Sequence, residues 1–364
     1  MMQQGEIAGV APAANRNESL DLLRGVAILL VILVHTWQAS PGYFTVTNNF
    51  VGYGPYGVQL FFIISGYTMM LTFGKEVTAN TILAFYTRRF FRIVPLFWAV
   101  ALMYVIRKGF HANYFAPDGV SLTDILLTFS LLPWLTPTSF NSVVPGGWSI
   151  AVELQFYFIF PLFIYLFRRA KGSQSIAPYV LVAFIYLVGQ YAAQNLVLPA
   201  LYPRYPESQK YLVDLFCTFW LPNQIICFGF GFILFEILEQ KRAPVVGILL
   251  MMACALPFQF GKIVAFLFLF SFFVLSIGLK NSVLETLGRH SYSIYLFHFD
   301  FAGIPARLRS VIFVPAELAV PLVALLSFWV SYYVTTPLIE SRFIKMGKAI
   351  SSRYFRKRAE PVNP

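Results

Sequence analysis

Residues 20–37, LDLLRGVAILLVILVHTW, decide the fold: an apolar stretch long enough to span a bilayer carries Asp21 and Arg24 at one end and His35 near the other. An ionisable side chain inside such a helix costs kilocalories unless it has a partner or a task, so each is a functional candidate by default. Arg24 and His35 are eleven residues apart. That is about 1100° of helical rotation, which returns almost to the same azimuth after a rise of about 16 Å. The two side chains therefore share one helix face at different depths.

The rest of the 364-residue chain agrees with that opening. It is 58% hydrophobic and 12% charged, against roughly 45–50% and 25% for soluble domains, which makes it an all-α polytopic membrane protein. The net charge of +11 comes from Lys and Arg placed between apolar runs, where orientation in the bilayer accounts for them, so nucleic acid is not an expected partner. Cys217, Cys227 and Cys254 fall within apolar runs, are odd in number and lack metal-ligand spacing; they read as packed, reduced thiols. No metal site is expected, because the intramembrane histidines His35 and His298 stand without ligand-spaced neighbours. The segment before Asn17 is polar, so the first span is read as the insertion signal.

Apolar runs long enough to cross a bilayer lie near residues 20–39, 56–74, 90–106, 148–167, 177–199, 213–238, 244–260 and 263–279, and the run 289–336 holds two more, separated by a break at 303–310. Residues 122–137 are short and contain Pro133 and Pro137, which suits a re-entrant or interfacial helix. About ten transmembrane helices result. With the N-terminus inside, twenty of the 27 basic residues fall in inner segments and seven in outer ones, so both termini are expected in the cytoplasm. The expected organisation is a cytoplasmic tail over 1–18, one membrane domain over 19–343 and a basic tail over 344–364, the last weakly amphipathic and suited either to an anionic leaflet or to a plain stop signal with solvated charges.

Further polar residues stand out within these runs. In GVQLFFIISGYTMM, residues 57–70, Gly57, Ser65 and Gly66 allow close helix approach. YTRRFFRIVPLFW, residues 86–98, gathers Arg88, Arg89 and Arg92 at the cytoplasmic mouth, with Pro95 beyond them; guanidinium forks suit phosphate, and a plain positive-inside flank is the competing reading. Glu153 enters a span from the outer side, at a depth near that of His35, so the two are expected to meet: a Glu beside a His fixes the imidazole tautomer as a general base requires. A structural contact within the bundle is the alternative. Ser291, Tyr295 and His298 line one face of another span, and Asp300 points elsewhere, toward Arg307 or Arg309. Glu340 is expected in an ion pair at the inner boundary.

Five segments in order, SLDLLRGVAILLVILVH, GVQLFFIISGY, RRFFRIVPLFW, WSIAVELQFYFIFP and LGRHSYSIYLFH followed by PLIESRF, resemble the acyltransferase 3 family of integral-membrane acyltransferases; together they cover residues 19–343. The resemblance implies a cytosolic acyl-CoA donor, usually acetyl-CoA, and an acceptor hydroxyl on a glycan or lipid-linked glycan at the outer face of a bacterial inner membrane. It implies that Arg24 and His35 are paired essential residues and that Arg88, Arg89 and Arg92 stand where the family has donor-side arginines. Ser65, Tyr67, Glu153, Ser291, Tyr295 and His298 occupy its motif positions. Leu22 and Asp300 depart from the Gly and Pro of many relatives. Some members carry a fused esterase-like domain for which this chain ends too soon, so transfer is expected to finish in the membrane domain or with a separate protein.

The depths fit the chemistry that the resemblance implies. Coenzyme A phosphates stay at the cytoplasmic arginines while the slender pantetheine arm spans the rise from Arg24 to His35. His35 is then expected to deprotonate the acceptor hydroxyl, with Glu153 or another buried polar group orienting it. Direct attack and an acyl-histidine relay are both open. A glycan exporter or flippase using the same polar residues is the alternative of another class.

Overall fold

The computed structural model describes residues 13–39, 53–73, 77–169, 176–309 and 315–355. These are helical nearly throughout, with one isolated antiparallel bridge between Asn113 and Ala116 and no sheet among the described residues. Among the described residues, seven stretches are long and apolar enough to cross a membrane: Asn17–Ala39, Ala79–Lys108, Gly147–Arg169, Ala177–Arg204, Glu207–Leu238, Gln259–Ile277 and Ala319–Phe355. The other three expected spans form shorter helices, Gly57–Thr72, Val245–Ala255 and Ser291–Phe301. At 1.5 Å per residue the last two reach only about 16 Å, little more than half of a hydrocarbon core.

The site is carried by helices α1 (Ala13–Ala39), α2 (Gly57–Thr72), α3 (Ala79–Lys108) and, after the eight-residue α4 (Leu122–Phe129), α5 (Gly147–Arg169). Helix α4 is too short to cross, in keeping with the proline-rich stretch it begins. It is capped reciprocally by Ser121 and Asp124, and Asp124 also accepts a 2.7 Å bond from Ser139. Helices α6 (Ala177–Ala192), α7 (Lys210–Phe219), α8 (Leu221–Leu238), α9 (Val245–Ala255) and α10 (Gln259–Ile277) build the far side. The chain returns to the site through α11 (Ser282–Arg289) and α12 (Ser291–Phe301), then α13 (Ile304–Arg309), α14 (Ala319–Val330), a wide π-helical stretch Ser331–Glu340 and α15 (Ser341–Phe355).

Phenylalanine fills the middle. Phe156 stacks on Phe228 at 3.7 Å between ring centres, and Phe62, Phe160, Phe163 and Phe232 extend the cluster between α2, α5 and α8. Cys217, Cys227 and Cys254 are buried free thiols. Where α2 crosses α8, a methyl group on Gly66 would stand 2.5 Å from the Phe228 carbonyl oxygen, so the close approach foreseen for residues 57–70 is present. Gln59 donates to Gln224 across the same pair at 2.9 Å.

Helix α1 is fixed chiefly by α11. A Cβ on Gly25 would lie 2.1 Å from the Leu284 carbonyl oxygen, and one on Gly288 would lie 1.7 Å from that of Asp21. The two backbones touch, which sets the height and azimuth of Arg24. Ser19 adds a 2.8 Å bond to the Leu279 carbonyl, and Glu18 pairs with Lys280.

Two expectations, for Asp300 and Glu340, are corrected here. Asp300 pairs with Arg107 at 2.8 Å and accepts from Tyr104 at 3.2 Å, instead of meeting Arg307 or Arg309, because α12 leans on α3. Glu340 has a buried Oε1 without a hydrogen-bond partner and no ion pair among the described residues; the wide turns of Ser331–Glu340 set its azimuth, which a 3.6-residue period does not give. The basic tail forms α15, whose Gly347 packs against Phe91 and whose Phe343 stacks on it, so one face of this helix is taken by α3. Residues 1–12 and 356–364 of the expected tails, and residue 310 of the expected break, lie outside the described residues.

The Gly25–Gly288 crossing makes a testable distinction. Gly288→Ala forces backbone against backbone and is expected to cost about 1–3 kcal/mol, lowering the thermal midpoint in detergent. Gly303→Ala, at a position with nothing within 4 Å of the added methyl, is expected to leave the midpoint unchanged. Equal midpoints for the two variants would contradict the crossing.

Candidate active site

Three cations meet where α1, α2 and α3 converge. Arg24 projects from α1 and pairs with Asp21 one turn back at 2.6 Å. Arg89 and Arg92, three residues apart and so on one face of α3, approach from the side. Arg89 is buried; it donates to Thr72 Oγ1 at 2.7 Å, and its guanidinium lies 5.3 Å from the Tyr157 ring centre and 5.4 Å from that of Phe85. Arg24, Arg89 and Arg92 line two cavities in common. The outer cavity, with an empty volume of about 1060 Å³, is bounded also by Asp21, Tyr67, Thr68, Thr72 and Glu239. An inner one of about 750 Å³ runs on past Ser65, Glu153, Tyr157, Ser149, Ser291 and Tyr295. The arginines thus form the neck between them.

Two of the residues expected here are placed otherwise. Arg88, next to Arg89 and therefore about 100° away around the helix, turns from the cavities and donates to Ser351 of α15 at 2.9 Å. Tyr67 reaches the outer cavity but spends its hydroxyl on Glu239 at 2.6 Å. Arg89 and Arg92 are the pair that the cavities receive.

Past the neck, the inner cavity carries a single carboxylate against three guanidinium groups. Glu153 accepts from Ser65 Oγ at 2.5 Å and from the Tyr157 hydroxyl on its own helix, one turn on. The arrangement corrects the expected contact between Glu153 and His35. Glu153 does enter the bundle, but its azimuth turns it toward α2 and the arginines, where Ser65 and Tyr157 both bond to its Oε1. Ser291 lines the same cavity from α12.

His35 meets His298. The imidazole Nδ1 of His35 lies 2.9 Å from Nε2 of His298, whose own Nδ1 lies 2.6 Å from the Tyr295 carbonyl oxygen. His298 is fully buried. The Phe299 ring stands 4.3 Å from the His35 ring and 4.1 Å from the His298 ring, holding both planes. Tyr295 links this pair to the cavity: its ring lies 5.6 Å from that of His298, and its hydroxyl donates to the Gly146 carbonyl at 2.9 Å and accepts from Ser149 at 2.8 Å. Gly146 has φ +76°, and a side chain there would strike the Tyr295 hydroxyl at 2.8 Å, so the turn into α5 needs glycine.

Ser149, Tyr157 and Thr72 are the site residues that sequence reasoning passed over. The first two had a visible signal, standing four residues either side of Glu153 on one face of α5; Thr72 had none. Among the described residues no group of three or more His, Cys, Asp or Glu side chains gathers as metal ligands do. Chemically, the arrangement offers an anion-binding neck, a polar chamber, and an imidazole pair one aromatic ring beyond it.

The acyltransferase 3 family, described as an acyltransferase domain, matches residues 17–340. The chain is 27% identical over 321 residues to the acyltransferase MdmB of Streptomyces mycarofaciens, covering 79% of each. It is 25% identical to the exopolysaccharide production protein ExoZ of Rhizobium meliloti over 87% of this chain and 96% of that one. With the peptidoglycan O-acetyltransferase OatA of Listeria monocytogenes it shares 23% identity over 94% of its own length and 59% of the relative's. No solved structure matches the chain. A match of the acyltransferase domain over residues 17–340, nearly the whole helical bundle, places this chain in the acyltransferase 3 family.

Proposed function

We propose that this multi-pass membrane acyltransferase takes an acyl group, acetyl in the first instance, from a cytosolic acyl-CoA and passes it to a hydroxyl of a glycan or lipid-linked glycan at the opposite face of a bacterial inner membrane. The observation that carries the reading is the succession along α1: arginine neck, polar chamber, histidine pair. Arg24 and His35 stand about 16 Å apart along the helix axis, a distance that a pantetheine arm spans. Three guanidinium groups around one neck supply the bidentate donors that phosphate oxygens accept. With the arginine end on the cytoplasmic side, as the surplus of basic residues in the inner segments supports, the donor's charged part stays at the neck while its thioester enters the chamber.

His35 acts at the far end as general base, removing the proton of the acceptor hydroxyl as its oxygen attacks the thioester carbonyl. Glu153 serves the donor side: held by Ser65 and Tyr157, it offsets part of the arginine charge and keeps the chamber wall polar. The exopolysaccharide and peptidoglycan named for two relatives support a glycan acceptor.

Membranes carrying the full chain should release coenzyme A thiol from radiolabelled acetyl-CoA and move the label into the envelope glycan fraction. His35→Ala is expected to lower that turnover at least about 100-fold with the donor KM nearly unchanged; wild-type turnover in this variant would refute the base. Arg89→Ala and Arg92→Ala are expected to raise the acetyl-CoA KM about tenfold each, and unchanged KM values in both would remove the neck from donor binding.

A further inference from the structure

The histidine contact determines where protons sit. The carbonyl oxygen of Tyr295 can only accept, so the 2.6 Å contact places the proton of His298 on Nδ1. In the neutral ring the other nitrogen, Nε2, then bears a lone pair. The 2.9 Å contact with His35 therefore requires a hydrogen on Nδ1 of His35. With that proton on Nε2 instead, two lone pairs would face each other at the same distance. Phe299 lies against both rings.

We infer that His298 is a positioning residue: anchored by the Tyr295 carbonyl, it fixes the tautomer and ring orientation of His35 so that His35 Nε2 is the nitrogen that takes the acceptor's proton. The inference rests on the reading of His35 as the base. In the step it describes, the acceptor O–H bond breaks and an N–H bond forms on His35 Nε2. The acceptor oxygen bonds to the thioester carbonyl carbon, and the C–S bond breaks with its electron pair leaving on sulfur. The thiolate then takes the proton from His35 Nε2. Throughout, the Nδ1–H of His35 stays on the lone pair of His298, which holds the ring in place as the transient imidazolium forms. No carboxylate is needed beside His35, which accounts for Glu153 being engaged elsewhere.

Three substitutions separate the contacts. His298→Gln keeps an acceptor oxygen near the place of Nε2. His298→Asn keeps a donor for the Tyr295 carbonyl and withdraws the acceptor. His298→Leu removes both. With coenzyme A release from acetyl-CoA as the readout in membranes, His298→Gln is expected within about tenfold of wild-type kcat. His298→Asn and His298→Leu are expected at least about 100-fold down, with the acetyl-CoA KM held in all three. Wild-type kcat in His298→Asn, or His298→Gln as impaired as His298→Leu, overturns the inference. The comparison of Gln with Asn, both polar and similar in size to His, decides the matter even if the Leu variant fails to fold. His35→Ala run alongside separates the two levels: full activity there removes the base itself, whereas an inactive His35→Ala beside a fully active His298→Asn removes only the positioning role.

Discussion

A polar side chain enclosed by lipid and apolar helices must find a partner inside the protein, since the bilayer core offers neither water nor counter-ions. That constraint organises the whole centre of this molecule. Arg24 has Asp21, Arg89 has Thr72 and two aromatic faces, Glu153 has Ser65 and Tyr157, and His35 has His298. Each pairing satisfies its members while leaving capacity over: guanidinium hydrogens at the neck, and one imidazole nitrogen beyond the chamber. The unspent capacity is what a substrate meets.

Helix crossings hold these groups in register. Gly25 and Gly288 let α1 and α11 touch backbone to backbone, and Gly66 does the same for α2 against α8. Between lipid-exposed helices close approach supplies the attraction that water supplies elsewhere. Because α12 follows α11 directly, the contact that sets the height of Arg24 also sets that of Tyr295 and His298, and through them the histidine pair. The arginine neck and the histidine pair are thereby tied to one corner of the fold.

What the sequence made legible was whatever depends on one helix at a time. The Arg24 to His35 rise, the shared face of Arg89 and Arg92, and that of Ser291, Tyr295 and His298 follow from helical period alone. Pairings between helices were less accessible, because depth in the membrane can be counted but azimuth depends on how neighbours pack. Glu153 was correctly brought to the interior and wrongly brought to His35; Asp300 was given a partner on its own side of the bundle and found Arg107 of α3. His298 stood in plain view as a motif residue, yet its contact with His35 needed α12 laid against α1. Glu340 defeated the count because ten residues of π-helix shift its face.

If the neck of arginines admits the donor to the chamber beneath the histidines, Thr68, which lines both cavities, lies at the entrance. Thr68→Cys, labelled with a membrane-impermeant maleimide in vesicles of each sidedness, tests it most directly, since the three native cysteines are buried. The account predicts labelling from the cytoplasmic side alone and protection by a thioether analogue of acetyl-CoA. Labelling from the opposite side, or labelling that the analogue does not slow, would contradict it.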